Sequence, residues 1–262
     1  MKQRHSLIAV VLTFNEARHM RECLACLGFA DQVLVLDSFS TDGTPELAED
    51  AGARVEQRRF RDYADQRNYA LDILRDETAH VLFVDADERV SPELASEIQG
   101  ALSARPDLPG WRIPRHNLIF GRLTLHAGWY PDYQTRLLGT GVARYERDQP
   151  VHELVQLDGE PGTLEQPLLH YNYDSLQQFL DKQRDYSERA AGMRHARNEQ
   201  ASIRDLLSLP LHHFRWRFFT LQGYRDGWHG LRLCALMAWY EFRTIRRLRS
   251  LARQGVIGTS RP

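Results

Sequence analysis

Apolar runs alternate with amphipathic segments through the first hundred residues of the chain. The runs have the length and composition of buried strands, and each is followed by a segment with helical periodicity. Strands are predicted at residues 7–13, 32–37, 53–57 and 80–84, and helices at residues 16–27, 43–51, 63–75 and 92–104, the last with Ser91 as its N-cap. Strands that alternate with helices in this way form parallel βαβ units. The pattern therefore predicts an α/β fold with a mostly parallel open sheet.

The pattern changes twice further along the chain. Residues 106–173 are irregular, with Gly, Pro, Trp and Tyr among short strand-like pieces, and we interpret them as a second half of the same domain. From residue 174 the sequence turns helical, with helices predicted at residues 177–198, 203–223 and 228–253. We therefore expect three regions, at residues 1–105, 106–173 and 174–262, of which the last is a helical C-terminal appendage.

Composition and cysteine usage fit an ordinary globular protein. The chain has 262 residues, of which 42% are hydrophobic and 26% are charged. Its three cysteines cannot all pair and lack the spacing of zinc ligands, so we expect free thiols in a reducing compartment. No signal peptide is recognisable before the first strand. These features predict a cytoplasmic protein.

Charge is unevenly distributed along the chain. Residues 203–262 contain 11 Arg and no Lys against three acidic residues, a net charge of +8, so a total of −1 leaves −9 for the rest. Basic amphipathic helices with Trp and Phe fit an anionic membrane surface, but a helical pair packed on the domain with a solvated arginine face is an equally good interpretation. The longest uncharged apolar stretch there, residues 233–240, is far below the roughly 20 residues that span a bilayer. Nucleic-acid binding is disfavoured because no recognition motif accompanies the charge.

Polar and acidic residues follow three of the predicted strands. In an open α/β sheet, ligands bind outside the carboxyl ends of the strands, so these residues are candidates for a binding site. They are Thr13, Asn15 and Glu16 after the first strand, Asp37 and Asp42 after the second, and Asp85, Asp87 and Glu88 after the fourth. No glycine-rich phosphate loop occurs at these exits, which argues against a dinucleotide or Walker-type site.

Asp85-Ala86-Asp87 has the chemistry of a site for a hard cation. Mg²⁺ or Mn²⁺ takes oxygen ligands from one or two carboxylates and completes its shell with substrate phosphates. The alternative is a solvated acidic turn before a helix, where carboxylates favour the helix dipole. Asp42 likewise has two alternative roles, as a contact to a ligand or as a helix cap.

Four motifs, taken in order, resemble those of family 2 inverting glycosyltransferases. They are Thr-Phe-Asn-Glu at residues 13–16, Asp37 to Thr44, Gln-Arg-Asn-Tyr-Ala at residues 66–70, and Phe-Val-Asp-Ala-Asp-Glu at residues 83–88. The resemblance covers residues 6–100. A finer resemblance, to the lipopolysaccharide core β-1,4-glucosyltransferase group, is carried by residues 131–137, by Val151-His152-Glu153 and by His170-Tyr171.

The resemblance implies a Rossmann-like nucleotide-sugar transferase fold, with the donor bound by residues 1–105 and the acceptor by residues 106–173. It also implies roles for individual residues. The residues expected to contact the nucleoside are Thr13, Asn15, Glu16 and Asp37, and Asp42 would belong to the same donor site. Arg67 would lie near the nucleotide or its phosphates. Asp85 would bridge ribose and metal, Asp87 would bind the metal, and His170 would complete the metal shell as in several relatives.

Inversion in a single displacement needs a base to take the proton of the acceptor hydroxyl. Glu153, in the irregular region, is the first candidate, and Asp132 is the second. Arg136 is assigned to the donor site, where it would bind phosphate, or else it pairs with a carboxylate. His170 also has an alternative, as a core histidine.

We therefore expect an inverting, metal-dependent transferase that moves a hexose from a UDP-sugar to a saccharide or glycolipid acceptor in cell-envelope assembly. We expect the protein in the cytoplasm, as a peripheral protein on the inner face of the cell membrane. Two alternatives remain open: a sugar nucleotidyltransferase, and a non-catalytic membrane adaptor with a transferase fold.

Overall fold

The predicted alternation of strands and helices is present in the first hundred residues. A computed structural model describes residues 5–146 and 155–258. In chain order, the first elements are β1 (His5–Thr13), α1 (Ala17–Ala25), β2 (Gln32–Asp37), α2 (Thr44–Asp50), β3 (Arg54–Gln57), α3 (Tyr63–Leu74), β4 (Thr78–Asp85), β5 (Glu88–Arg89) and α4 (Pro92–Ala104). The predicted strand at residues 32–37 and the helix at residues 92–104 have the observed bounds. Ser91 caps α4 as predicted, its Oγ accepting from the Leu94 backbone N at 3.1 Å.

The remaining elements include short strands and three long helices. They are β6 (Gly110–Ile119), β7 (Arg122–Thr124), β8 (Tyr133–Gly139), β9 (Ala143–Tyr145), β10 (Val155–Leu157), β11 (Gly162–Thr163), β12 (Leu168–Tyr173), α5 (Leu176–Ala196), α6 (Asp205–Arg215) and α7 (Gly227–Gly258). The chain divides into two compact units: unit 1, residues 1–116 and 132–170, and unit 2, residues 117–131 and 171–262.

The main sheet has a parallel half and an antiparallel half. Its strand order is β3-β2-β1-β4-β8-β6-β12-β5. β1 pairs in parallel with β2 and β4, and β2 pairs in parallel with β3, whereas β8 runs antiparallel to both β4 and β6. The α/β fold with an open sheet is therefore confirmed, but the sheet is mixed and not mostly parallel, because β6, β8 and β12, which follow α4, add to it in antiparallel pairs. The carboxyl ends of β1, β2 and β4 lie at one edge, where the candidate residues follow them.

β1, β2 and β4 are buried on both faces, which explains why these strands are largely apolar, whereas the edge strand β3 is only partly buried. Along β1, Leu7, Ala9 and Val11 belong to one hydrophobic cluster, whereas Ile8 and Val10 belong to another. Successive side chains of a strand point to opposite faces, so the two clusters lie on the two sides of the sheet. The cysteines are free thiols, as predicted, with Cys23 and Cys234 buried.

Unit 2 has its own core, built from α5, α7 and the ends of β6 and β12. Ile119, Tyr173, Phe179, Leu233 and Tyr240 form this core, and Trp129 packs against it. The Trp129 ring lies 6.3 Å from that of Tyr173 in an edge-to-face arrangement. Trp129 thus has the contacts of a packing residue.

The single helix predicted at residues 203–223 is interrupted. α6 ends at Arg215, a π-helical turn follows at Trp216–Thr220, and a short 3₁₀ helix covers Gly223–Asp226. Gln222 has a left-handed conformation, and a Cβ on Gly223 would lie 2.9 Å from the Arg217 carbonyl oxygen. This close packing requires a glycine at position 223, and the chain changes direction there. Apolar periodicity does not predict either feature.

Segment 117–131 of unit 2 is fixed by residues far along the chain. His126 donates from its backbone N to Asp226 Oδ2 at 3.0 Å, and its Nδ1 lies 2.7 Å from Asp226 Oδ1. Thr124 Oγ1 lies 3.0 Å from His229 Nε2. Among the described helices, none is long and apolar enough to cross a membrane.

Candidate active site

Asp37 ties together the polar ends of three neighbouring strands. Its buried carboxylate accepts hydrogen bonds from Thr13 Oγ1 at 3.0 Å and from the Ser40 backbone N at 2.9 Å. Gln57 Nε2, at the end of β3, donates to it at 3.3 Å. A buried carboxylate needs such partners, so Asp37 fixes the shape of this edge whether or not it also contacts a ligand.

Asn15 crosslinks the two loops that follow β1 and β2. Its Oδ1 accepts from the Thr41 backbone N at 2.9 Å, and its own backbone N donates to Ser40 Oγ at 2.8 Å. Asn15 has φ 56°, a left-handed conformation that asparagine tolerates better than most residues. The two loops are thereby held as one rigid corner.

Asp42 caps the helices that begin at this corner. Its Oδ2 accepts from the Ala17 backbone N, the first residue of α1, at 3.0 Å. Its Oδ1 accepts from the Thr44 backbone N, the first residue of α2, at 3.1 Å. Glu16 is held here too, because its backbone N donates to Thr44 Oγ1 at 2.9 Å. These are the contacts of the capping interpretation, and donor binding by Asp42 stays a prediction.

Asp85 is held between two buried guanidinium groups. Arg136, on β8, donates to Asp85 Oδ2 at 2.5 Å and to Oδ1 at 3.4 Å. Arg67, on α3, lies 3.5 Å from Oδ1. Burial alone would raise the pKa of Asp85, but Arg136 and Arg67 outweigh it and hold the pKa well below its usual range. Of the two roles open to Arg136, the structure therefore contains the pairing with a carboxylate.

The same two arginines concentrate positive charge at the exit of β4. Burial lowers the pKa of Arg67, and the like charge of Arg136 lowers it further. Burial would also lower the pKa of Arg136, but Asp85 and Glu88 reverse that effect and raise it. Guanidinium forks bind carboxylates and phosphates with the same geometry. A phosphate could therefore compete with Asp85 for these groups.

Glu88 is the buried counter-ion of this cluster. Its side chain is fully buried, and Oε2 accepts from the Asp85 backbone N at 3.0 Å. Oε1 lies 3.4 Å from Arg115 Nη1 and 3.8 Å from Arg136 Nη2. Glu88 therefore positions the turn that carries Asp85 and Asp87. No separate role was predicted for Glu88, although it ends the acidic motif.

Asp132 is held by a strong ion pair. Arg115 donates to Asp132 Oδ2 from Nε at 2.9 Å and from Nη2 at 2.5 Å, while Gln134 Nε2 donates to Oδ1 at 2.8 Å. Both carboxylate oxygens are thus engaged. These three hydrogen bonds occupy most of the four lone-pair positions of the carboxylate, and the Arg115 charge stabilises its ionised form, so Asp132 is less suited to take the acceptor proton.

Asp87 and His170 lie together on the other side of the acidic turn. His170, on β12, pairs with Glu88 of β5, and this register brings His170 Nε2 to 3.5 Å from Asp87 Oδ2. A carboxylate and an imidazole fit Mn²⁺ well, and a nucleotide diphosphate and water would supply the remaining ligands. Within residues 5–146 and 155–258, no group of three or more His, Cys, Asp or Glu could hold a metal ion by itself.

The first candidate base, Glu153, and the neighbouring His152 lie outside the described residues. The other predicted site residues are described, and all of them belong to unit 1. The structure brings together Asp85 with Arg67 and Arg136, Thr13 with Asp37, and Asp87 with His170.

Comparison with known proteins identifies relatives of one kind. Residues 8–148 match the model of the family described as glycosyl transferase family 2. The lipopolysaccharide core biosynthesis glycosyltransferase LpsC of Rhizobium meliloti is 27% identical over 253 residues, which are 92% of this chain and 91% of LpsC. An uncharacterized glycosyltransferase of Rickettsia bellii is 26% identical over 258 residues, 94% of this chain and 87% of its own.

A similarity of fold extends over nearly the whole chain. The mannosyltransferase PcManGT of Pyrobaculum calidifontis, solved with GDP-Man and Mn²⁺, has a TM-score of 0.52 at 14% identity, covering 94% of this chain and 88% of that one. The family match selects a glycosyltransferase over the two alternatives, a nucleotidyltransferase and a non-catalytic adaptor.

Proposed function

The chain belongs to glycosyl transferase family 2, and on that premise we propose that it transfers a hexose, with inversion, from a UDP-sugar to a saccharide or glycolipid acceptor. The acceptor would belong to a lipopolysaccharide core-like structure, because LpsC matches this chain over nearly its full length and is named for that assembly. The Asp87–His170 pair beside the Asp85–arginine cluster carries the proposal.

The proposal assigns two kinds of group to the donor diphosphate. Asp87 and His170, with Asp85 beside them, would hold Mg²⁺ or Mn²⁺, which when bound supplies Lewis-acid stabilisation of the charge on a leaving diphosphate. Arg67 and Arg136 would contribute fixed positive charge at the same strand exit. Arg136 pairs with Asp85, and a guanidinium binds phosphate with the same geometry as carboxylate, so Arg136 would exchange Asp85 for a donor phosphate.

The corner formed by the β1 and β2 exits would bind the nucleoside. Asp37, Asn15 and Thr13 are already fixed by internal hydrogen bonds, which would pre-organise the corner rather than let it collapse around a ligand. Glu16, just before α1, and Asp42, in the loop before α2, would complete this donor site.

The proposed function is tested by a screen of nucleotide sugars. Purified full-length protein is incubated with UDP- and GDP-sugars, with and without Mn²⁺, and release of the nucleoside diphosphate is measured. We expect release from a UDP-hexose that depends on the metal. Release from no nucleotide sugar, or equal release after chelation, would contradict the proposal.

Replacing Glu153 with Gln tests the proposed base. The amide cannot accept the acceptor proton, so we expect kcat to fall about 100-fold or more while KM for the donor changes little. The matched variant Asp132→Asn should leave more activity, because Asp132 is engaged by Arg115 and Gln134. If the Glu153→Gln variant turned over normally and the Asp132→Asn variant were inactive, Asp132 would be assigned as the base.

The basic C-terminal region is proposed to hold the enzyme at the inner face of a cell membrane, where a glycolipid acceptor would be anchored. Its net positive charge, against a negative remainder, supports this.

A further inference from the structure

α6 presents an apolar stripe to solvent. Ile203, Leu207 and Leu211 have 70%, 76% and 61% of their surface exposed. Their spacing of four residues places them on one face, since Ile203 lies in the turn that leads into α6. None of the residues of α6 is buried. A helix in a monomeric protein ordinarily turns such a stripe inward, so its exposure indicates an interaction surface.

The segment that follows α6 exposes large aromatic side chains. Trp216, Phe219, Tyr224 and Trp228 are all exposed, Trp228 to 78%. Trp and Tyr have an apolar ring and a polar group, a combination that suits the boundary between water and lipid headgroups. Exposed apolar side chains are thus present at intervals from Ile203 to the beginning of α7.

Exposed arginines flank the apolar stripe without acidic partners. Arg204, Arg215 and Arg225 are exposed, and none of them is in an ion pair with a described residue. The nearest acids are used internally: Asp205 accepts from the Ser202 backbone N at 2.6 Å, and Asp226 binds His126. The positive charge beside the stripe is therefore available to an external anion.

We propose that the face formed by Ile203, Leu207 and Leu211, with Arg204 and Arg215 beside it, is the element that inserts into the headgroup region of an anionic bilayer. This deepens the proposed membrane location and rests on it. α6 lies along the surface, with its leucines towards the acyl chains and its arginines at the phosphates. A second copy of the chain fits less well, because a two-fold interface centred on this stripe would bring the arginines beside it close to those of the other copy.

The test is co-sedimentation of the full-length protein with vesicles of phosphatidylglycerol and phosphatidylcholine in equal parts, and of phosphatidylcholine alone. Leu207→Ser with Leu211→Ser should weaken binding to the anionic vesicles about 10- to 100-fold, because two apolar side chains leave the lipid. Leu209→Ser is the matched control, since Leu209 lies about 200° around the same helix from both and should change binding less than about twofold. The double variant Arg204→Gln with Arg215→Gln should bind the anionic vesicles about tenfold or more weakly. Its binding to vesicles of phosphatidylcholine alone should not change.

Two results would overturn the proposal. One is unchanged sedimentation of the Leu207/Leu211 variant. The other is a wild-type dimer in analytical ultracentrifugation that this variant dissociates, with no vesicle binding by either protein. Metal-dependent release of nucleoside diphosphate from the donor, in the absence of vesicles, should be the same in all these variants. A protein that binds vesicles but turns over no nucleotide sugar would refute the proposed function and leave this surface intact.

Discussion

Replacement of Asp87 with Ala is expected to lower kcat/KM for nucleotide-sugar turnover about 1,000-fold or more and to abolish its dependence on Mn²⁺. His170 would then lose the carboxylate that lies 3.5 Å from it. The remaining carboxylate, Asp85, is paired with Arg136 and Arg67, so Asp85 and His170 together would hold a hard cation poorly. Without bound metal, the charge on the leaving diphosphate loses a stabilisation of several kcal/mol, and each 1.4 kcal/mol is a factor of about ten in rate. Steady-state kinetics over a Mn²⁺ titration measures both effects.

Asp107→Ala is the matched control for this substitution. Asp107 is a carboxylate of the same unit whose side chain is 71% exposed and pairs only with Arg105 among the described residues, so turnover should not change. If Asp87→Ala kept normal turnover and normal metal dependence, the assignment of the metal to this turn would be wrong. His170→Ala should shift the Mn²⁺ concentration for half-maximal rate upward without abolishing activity.

Replacement of Arg136 with Met is expected to lower the free energy of unfolding by about 3–5 kcal/mol. Methionine has a similar length but no charge, so Asp85 would lose its nearest counter-ion. Glu88, which is fully buried, would lose one of its two and keep Arg115. Breaking a buried ion pair leaves an uncompensated charge, and this cost exceeds the value of the pair itself. Urea denaturation followed by tryptophan fluorescence and circular dichroism measures the change.

Arg144→Met provides the comparison, because it removes an exposed pair from the same unit. Arg144 and Asp72 are in contact, but their side chains are 53% and 56% exposed. Exposed pairs contribute at most about 1 kcal/mol, so the denaturation midpoint should hardly move. Equal effects of the two substitutions would show that the cluster around Asp85 is solvated rather than buried.

Local pattern was sufficient to predict the parallel half of the fold. The strand that ends at Asp37 and the helix that begins after Ser91 are specified by apolar periodicity and by one capping residue, both of which lie within a few positions of the element. The pairing of Thr13 with Asp37 also follows, because adjacent parallel strands bring their exits together. These features depend on neighbours in sequence.

The electrostatic arrangement of the site could not be predicted in this way. Arg115 contacts Glu88 across 27 positions and Asp132 across 17, and no local signal distinguishes it from Arg112 on the same strand. The exposure of the apolar stripe of α6 could not be predicted either, because periodicity indicates an amphipathic helix but not which of its faces packs on the protein. The break at Gly223 depends on close packing against Arg217, which only the folded backbone contains.

The contacts of His126 and Thr124 have a consequence for synthesis on the ribosome. His126 is made 100 residues before Asp226, and Thr124 is made 105 residues before His229. At about 5–20 residues per second, the segment waits about 5–20 s for these partners, whereas unit 1 has all of its residues by position 170. A nascent chain halted before residue 226 would therefore hold all residues of unit 1, whereas segment 117–131 would still lack its contacts with Asp226 and His229. In such arrested chains, proteolysis should cut first between residues 117 and 131.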